Sequence, residues 1–247
     1  MSGRLRQVPG MPPPQTLSEF LQGLKDSGCA LLITGDTDPE TRVAVSRELF
    51  GVSESELESN EPHRKRILVK TEQRVRSQQY LPGDVTGEAT TCSVLDAADV
   101  DRSSTAVDSQ SSDVDSPRRA GSTGLDGVAE TVEQQIGELL ESTVGPAPGE
   151  LRVGCTSLVS LENRFAQDEV EAFAESLAQI ARRNRGMCHL HYPAADASHP
   201  VRRLSTAVNA RLELTTVGNR IYVTWHTPYD NVEGADQPID WIEMKGK

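Results

Sequence analysis

"LLITGDTDPETR" (31–42) decides the fold. It completes a short apolar run, "CALLIT" (29–34), with no polar alternation, the pattern of a strand covered on both faces of a parallel sheet. Gly35 breaks the run. "DTDPE" (36–40) then offers a helix cap and, at Pro39, a proline suited to the first helical position. Nucleotide-binding proteins cradle phosphate at such a strand–glycine–helix junction, because helix N-terminal N–H groups favour anions.

Working outward, a helix is predicted to run to Phe50, with Val43, Leu49 and Phe50 inward, and to stop at Gly51. Upstream, Thr16 or Ser18 can cap a helix whose Leu17, Phe20, Leu21 and Leu24 recur at helical spacing before Gly28. Downstream, an acidic loop leads to a second strand, "RILVKT" (66–71). A helix follows from Leu125, with Val128, Val132, Ile136, Leu139 and Leu140 on one side, and "ELRVGCTSL" (150–158) reads as a third strand. "QDEVEAFAESLAQIARRNRG" (167–186) is the clearest helix: Val170, Phe173, Leu177 and Ile180 share a face, acids lead and arginines trail, as the helix dipole favours. "MCHLHYP" (187–193) is a fourth strand and "HPVRRLSTAVN" (199–209) a short helix. Two alternating runs around Gly218-Asn219 predict a hairpin, and "IDWIEM" (239–244) an added edge strand.

The expected architecture is α/β: a mainly parallel sheet flanked by helices, with a C-terminal antiparallel hairpin. Residues 1–15, rich in Pro and Gly, read as a flexible arm. Residues 16–81 form the first half of the domain and 125–247 the second. Residues 82–124, dominated by Ser, Asp, Thr and Gly, read as a disordered polar insert, because they lack the apolar area to offset roughly 1–2 kcal/mol of ordering entropy per residue. A regulatory segment that binds a partner is the alternative.

Composition limits the function classes. The chain has 247 residues, and a formal charge of −12 repels nucleic-acid backbone and anionic lipid, so neither is an expected partner. No apolar stretch approaches the roughly 18 residues of a membrane span, and the N-terminus has no apolar leader core, so a cytoplasmic location is expected. Five of the 25 basic residues are lysine and the rest arginine. Few lysines with many acids is similar to haloarchaeal cytoplasmic proteins, whose carboxylate surface stays hydrated when salt screens its repulsion. The cysteines Cys29, Cys92, Cys155 and Cys188 show no C-x-x-C spacing and read as small buried hydrophobes.

The succession "ITGD", "VKTEQ", "RVGCTSL" and "ARLELTTVGNRIYVTW" resembles the RecA/KaiC-like division of P-loop proteins. More closely it resembles a haloarchaeal group of uncharacterised KaiC-related proteins that lack the nucleotide motifs. The resemblance covers roughly 16–80 and 125–245 and implies the fold above. Its catalytic pattern is not kept. A Walker loop, G-x-x-x-x-G-K-[ST], needs a second glycine, a lysine and a hydroxyl. Aligned on Gly35, those positions hold Glu40, Thr41 and Arg42, while Asp36, Asp38 and Glu40 bring carboxylates where phosphate would sit. The resemblance also implies an aspartate at the end of the third strand to hold magnesium; here Thr156 precedes Ser157-Leu158. Of the paired acids expected after the second strand, only Glu72 is present, beside Gln73.

These departures point to a catalytically silent domain without a cofactor, acting through contacts with a protein partner in regulation or signalling, as monomer, dimer or ring. Two alternatives stay open. The degenerate loop could bind ATP and magnesium unusually, with Arg42 standing in for the lysine. Cys188, His189 and His191 could hold a metal or redox centre, His199 or His226 approaching only if the fold brings them in, although strand alternation turns Cys188 away from the histidines. A hydrolase pair of Ser157 and His189 rests on their presence alone, with no nucleophile elbow. Arg182, Arg183 and Arg185 suit a helix C-terminus, and with Arg202 and Arg203 could form an anion patch. Trp225 and Trp241 are expected to cover the sheet edge.

Overall fold

Helix α1 (Leu17–Ser27) begins where local chemistry closes its end. Thr16 Oγ1 accepts from the Glu19 N–H at 3.2 Å, and Glu19 Oε2 accepts from the N–H groups of Thr16 and Gln15 at 3.4 and 2.8 Å. The structure is a computed structural model that describes residues 4–10, 12–51, 64–83, 85–87, 90–98, 100, 118–119, 124–140 and 146–243. After α1 come β1 (Cys29–Thr34), α2 (Pro39–Phe50), β2 (Lys65–Lys70), β3 (Cys92–Asp96), β4 (Arg118–Arg119) and α3 (Gly124–Leu140). The second half contributes β5 (Leu151–Cys155), α4 (Val159–Glu162), α5 (Gln167–Arg183), β6 (Met187–His191), α6 (His199–Leu204), β7 (Ala210–Val217), β8 (Arg220–His226) and β9 (Pro238–Glu243).

The strands form one sheet in the order β4-β3-β2-β5-β6-β1-β7-β8-β9. Pairing is parallel from β4 through β7, and β8 and β9 add antiparallel. Gly218, at φ 62°, takes the first central position of the two-residue turn between β7 and β8, the place where a type II′ turn requires glycine. All six residues of β1 are buried. Ala30 and Leu32 face α3 and α5, joining a core with Val128, Val132, Phe173 and Leu177. Leu31 and Ile33 face α1 and α2, joining Phe20, Leu24, Val45 and Leu49. Among the described residues no helix is long and apolar enough to cross a membrane.

One expectation is qualified and one corrected. The described part of the N-terminal segment is mostly exposed but touches the domain at two points: Val8 is buried in the α1–β1 cluster, and Arg6 donates its N–H to Val208 O at 2.8 Å and pairs with Glu175 at 3.0 Å. The insert is not uniformly disordered. Its "CSVLD" forms β3, in parallel register with β2 from Arg66↔Cys92 to Lys70↔Asp96, and Leu95 is fully buried against α3. Averaged composition hid a five-residue strand whose burial comes from a later helix. Residues 101–117 of the insert lie outside the described residues.

The topology also creates a crevice. From β1 the chain leaves into α2, which packs on β5 and β6 across one face; from β6 it leaves into α6, which packs on α5 across the other. Adjacent parallel strands whose connections part in this way open a crevice at their carboxyl ends, where α/β sheets bind ligands. The junction at 31–42 lies there.

Candidate functional site

The junction is built from backbone constraints. Gly35 has φ 106°, and a Cβ there would meet Leu214 O at 2.3 Å, so neither the conformation nor the space admits a side chain. Its N–H donates to Ala194 O at 3.0 Å, tying the loop to the segment after β6. Asp36 and Glu40 are exposed to solvent. Asp38 caps α2: its Oδ1 accepts from the Thr41 N–H at 2.8 Å and its Oδ2 from the Thr41 hydroxyl at 3.1 Å. The Thr41 N–H chiefly, outweighing the effect of burial, holds the Asp38 carboxyl below its ordinary range.

Consequently the donors that a phosphate would use are taken. Pro39 has no N–H, the Thr41 N–H serves Asp38, the Glu40 N–H also favours that carboxylate, and the Arg42 N–H bonds to Asp38 O at 3.3 Å. The helix N-terminus is satisfied by the chain's own carboxylate.

α2 buries more polar side chains than the sequence predicts. Leu49 and Phe50 are buried as expected, but so are Thr41, Arg42 and Ser46, while Val43 is half-buried. Arg42 turns into the crevice, where its Nη2 lies 3.1 Å from Glu72 Oε1 and its Nη1 donates to Thr37 O at 3.4 Å. The Tyr80 hydroxyl donates to Glu72 Oε2 at 3.5 Å. Burial raises the Glu72 carboxyl above its ordinary value against the opposing pull of Arg42, and burial pushes the Tyr80 phenol up to about 12. Glu72 is thus engaged by a guanidinium and a phenol.

Thr156 and Ser157 fasten β5 to β2. The Thr71 hydroxyl donates to Ser157 O at 2.6 Å, the Ser157 N–H donates back to Thr71 Oγ1 at 3.1 Å, and the Thr71 N–H donates to Thr156 Oγ1 at 3.0 Å. These polar atoms are buried and spent on strand pairing.

His189 and His191 lie on β6 between β1 and β5, on the α2 face. His189 Nε2 is 2.9 Å from Ser46 Oγ, and its ring meets Phe50 edge to face at 4.6 Å. Gly154 leaves the room, since a Cβ there would lie 2.5 Å from both rings. The His191 ring stands 5.7 Å from His189 and 6.5 Å from Tyr80, and neither of its nitrogens has a hydrogen-bond partner among the described residues. Burial, then the nearby Arg42 charge, brings His191 down to about 3; burial, then His191, puts His189 well below its ordinary value. Both rings are neutral at neutral pH.

The structure does not assemble the Cys188–His189–His191 centre. Cys188 belongs to the core on the other face of β6, among Ala30, Leu32 and Phe173, and burial raises its thiol well above the ordinary value. Burial likewise pushes Cys29, Cys92 and Cys155 up to about 12, so none supplies a thiolate. His189 pairs with Ser46 and not with Ser157. His226 lies with Asp196, Glu213 and Asp236. The arginine patch is divided among local partners: Arg182 with Ala207 O and Glu175, Arg183 with Glu133, Arg185 with Asp26 O, and Arg203 with Glu171. Trp225 and Trp241 are partly buried against the hairpin cluster. Sequence reading missed Ser46, Tyr80 and the partners of His226; only the polar residues interrupting the α2 face hinted at the first.

A search of curated proteins found no match to the chain. A family of unknown function, DUF7504, matches residues 28–214, from the glycine before β1 into β7 and across every element that shapes the crevice. On that match the chain belongs to the DUF7504 family.

Proposed function

We propose that the chain is a catalytically silent RecA/KaiC-like domain that acts through protein contacts, in regulation or signalling, within a haloarchaeal cytoplasm. The observation that carries this reading is the closure of the junction. Asp38 occupies the helix N-terminus and Glu72 holds Arg42, so the two groups left from a phosphate site neutralise the chain's own charges. The strand order supports the resemblance to RecA/KaiC-like proteins, because it sets the ends of β1, β6, β5 and β2 side by side, and with them Gly35, Thr156 and Glu72. With −12 formal charges and no preformed anion site among the described residues, a protein partner, including a second copy of the chain, is the class that this surface suits.

Titrating the full chain with ATP and magnesium, by calorimetry at low and molar salt, tests the silent reading. No saturable heat is expected up to millimolar nucleotide. Saturation that is lost in Arg42→Met would overturn it and install Arg42 as the phosphate-binding cation.

A further inference from the structure

At the end of β1, on the sheet face opposite the histidine pair, charged side chains converge from four separate segments. Asp196 lies in the loop after β6, Glu213 on β7, His226 at the end of β8 and Asp236 in the turn before β9. The register sets His226 beside Arg211, and strand alternation keeps Arg211 and Glu213 on one face. Arg211 grips Asp196 through both guanidinium edges, Nε to Oδ1 at 2.5 Å and Nη2 to Oδ2 at 2.7 Å, while Thr34 donates to Oδ1 at 2.6 Å. The arginine also donates from Nη1 to Ser205 Oγ at 3.3 Å.

That grip orients Asp196 and leaves Oδ2 facing His226 Nε2 at 3.8 Å. Glu213 Oε2 lies 3.0 Å from the same nitrogen, and Asp236 Oδ1 lies 2.9 Å from Nδ1. Both imidazole nitrogens thus confront carboxylates, but a neutral ring carries one proton and can satisfy only one of them. With the proton on Nδ1 toward Asp236, the Nε2 lone pair points at two further acids. Among the described residues, three carboxylates and one guanidinium gather around this ring.

We propose that Asp196, Glu213 and His226 bind a divalent transition-metal ion of the zinc type, with Asp236 fixing the imidazole that ligates it. The geometry fits: zinc bonds of about 2.0–2.1 Å at tetrahedral angles place ligand atoms about 3.3 Å apart. The observed 3.0 and 3.8 Å separations bracket that value, and the three ligand atoms lie within 4.8 Å of one another. A carboxylate on the distal nitrogen is the usual support of a metal-binding histidine, setting its tautomer and raising its basicity. Hydrogen bonds from Arg211 and Thr34 fix the orientation of the Asp196 carboxylate toward the ring. Side-chain exposures of 12% for Asp196, 23% for His226 and 38% for Glu213 leave the cluster reachable from solvent. The ion would clip the antiparallel strands to the loop that also anchors Gly35, through Ala194. This site stands apart from the silent reading of the junction and does not depend on it.

The test uses the full chain, purified without an affinity tag and stripped with chelator, then titrated with Zn2+ by calorimetry and with Co2+ by absorption. One ion per chain is expected, with no thiolate charge-transfer band. Asp236→Asn should weaken binding by about 10–100-fold, the usual effect of losing such a support. His226→Ala and Glu213→Gln should weaken it at least as much, while the exposed His199→Ala leaves it unchanged. Should His226→Ala fail to fold, Glu213→Gln, a half-exposed and nearly isosteric change, decides. No saturable binding at millimolar Zn2+, or full affinity in both Glu213→Gln and Asp236→Asn, would overturn the proposal and leave His226 as a hydrogen-bonded strand tie between the two acids.

Discussion

The carboxyl end of β1 carries charge on both sheet faces, and the two faces are balanced in opposite ways. On the α2 face, Arg42 and Glu72 form a matched pair under cover, with side-chain exposures of 9% and 23%, beside two neutral imidazoles. On the other face, three acids outnumber Arg211 around His226, and two of them, Glu213 and Asp236, remain open to water with side-chain exposures of 38% and 70%. Charge matched and sealed is a structural element. Charge unmatched and accessible is a capacity to bind.

The largest expected effect breaks the sealed pair. Arg42→Met keeps most of the side-chain volume but strands Glu72 in a site whose burial already raises its pKa. Removing one member of a fully buried pair costs roughly 3–5 kcal/mol. Because Glu72 keeps some access to water and can take up a proton, a loss of about 2–3 kcal/mol at neutral pH is expected in denaturant unfolding. Glu72→Gln in the same background should recover part of it. A loss below about 1 kcal/mol would mean that the pair is solvated in solution, and the contrast between the faces would collapse.

A second experiment sharpens the comparison through pH. His191 falls to about 3 in the folded chain against an ordinary 6.5, so between those values the unfolded chain binds the extra proton. Stability therefore falls as pH is lowered through that window, with a limiting slope of about 1.4 kcal/mol per pH unit from this group. His191→Leu, close in volume, should flatten the slope by about that amount between pH 6 and 4. At pH 7 it should be neutral or stabilising, since it removes buried nitrogens without partners among the described residues. A His191→Leu chain with the parental acid slope would place the titrating group elsewhere.

What could be read from sequence follows how local each device is. The apolar run of β1, the Asp38–Pro39 cap, the amphipathic α5 and the Gly218 turn are all set by residues within a few positions of one another, and all appear where expected. The content of the two faces is not local. Arg42 and Glu72 are 30 positions apart, Ser46 and His189 are 143 apart, and Thr34 and Asp196 are 162 apart. Only the strand order brings them together. β3 escaped for the same reason: Ser93 takes its partner Gln135 from 42 positions away, and a composition average cannot register a strand that a later helix buries. His226 and Asp236 also lie past residue 214, where the family match ends, so the open face joins residues inside that match to residues beyond it.

The smallest expected effect probes the junction itself. Asp38→Ala removes the carboxylate from the Thr41 N–H and should cost about 1 kcal/mol, the usual loss for a helix cap. Asp38 titrates below its ordinary range when folded, so its contribution is fully present above the unfolded value and fades as pH falls through the lowered one. The difference between parent and variant should therefore be constant from pH 8 to 5 and shrink toward pH 3. The variant also bares the donors that a phosphate would use. If closure by Asp38 alone kept anions out, Asp38→Ala should bind millimolar phosphate with a measurable rise in Tm. The expected result is no rise, because Pro39 contributes no donor, Arg42 stays committed to Glu72, and Asp36 and Glu40 still flank the loop. A saturable rise would show that one carboxylate, and not the whole charge arrangement of the α2 face, separates this junction from a working anion site.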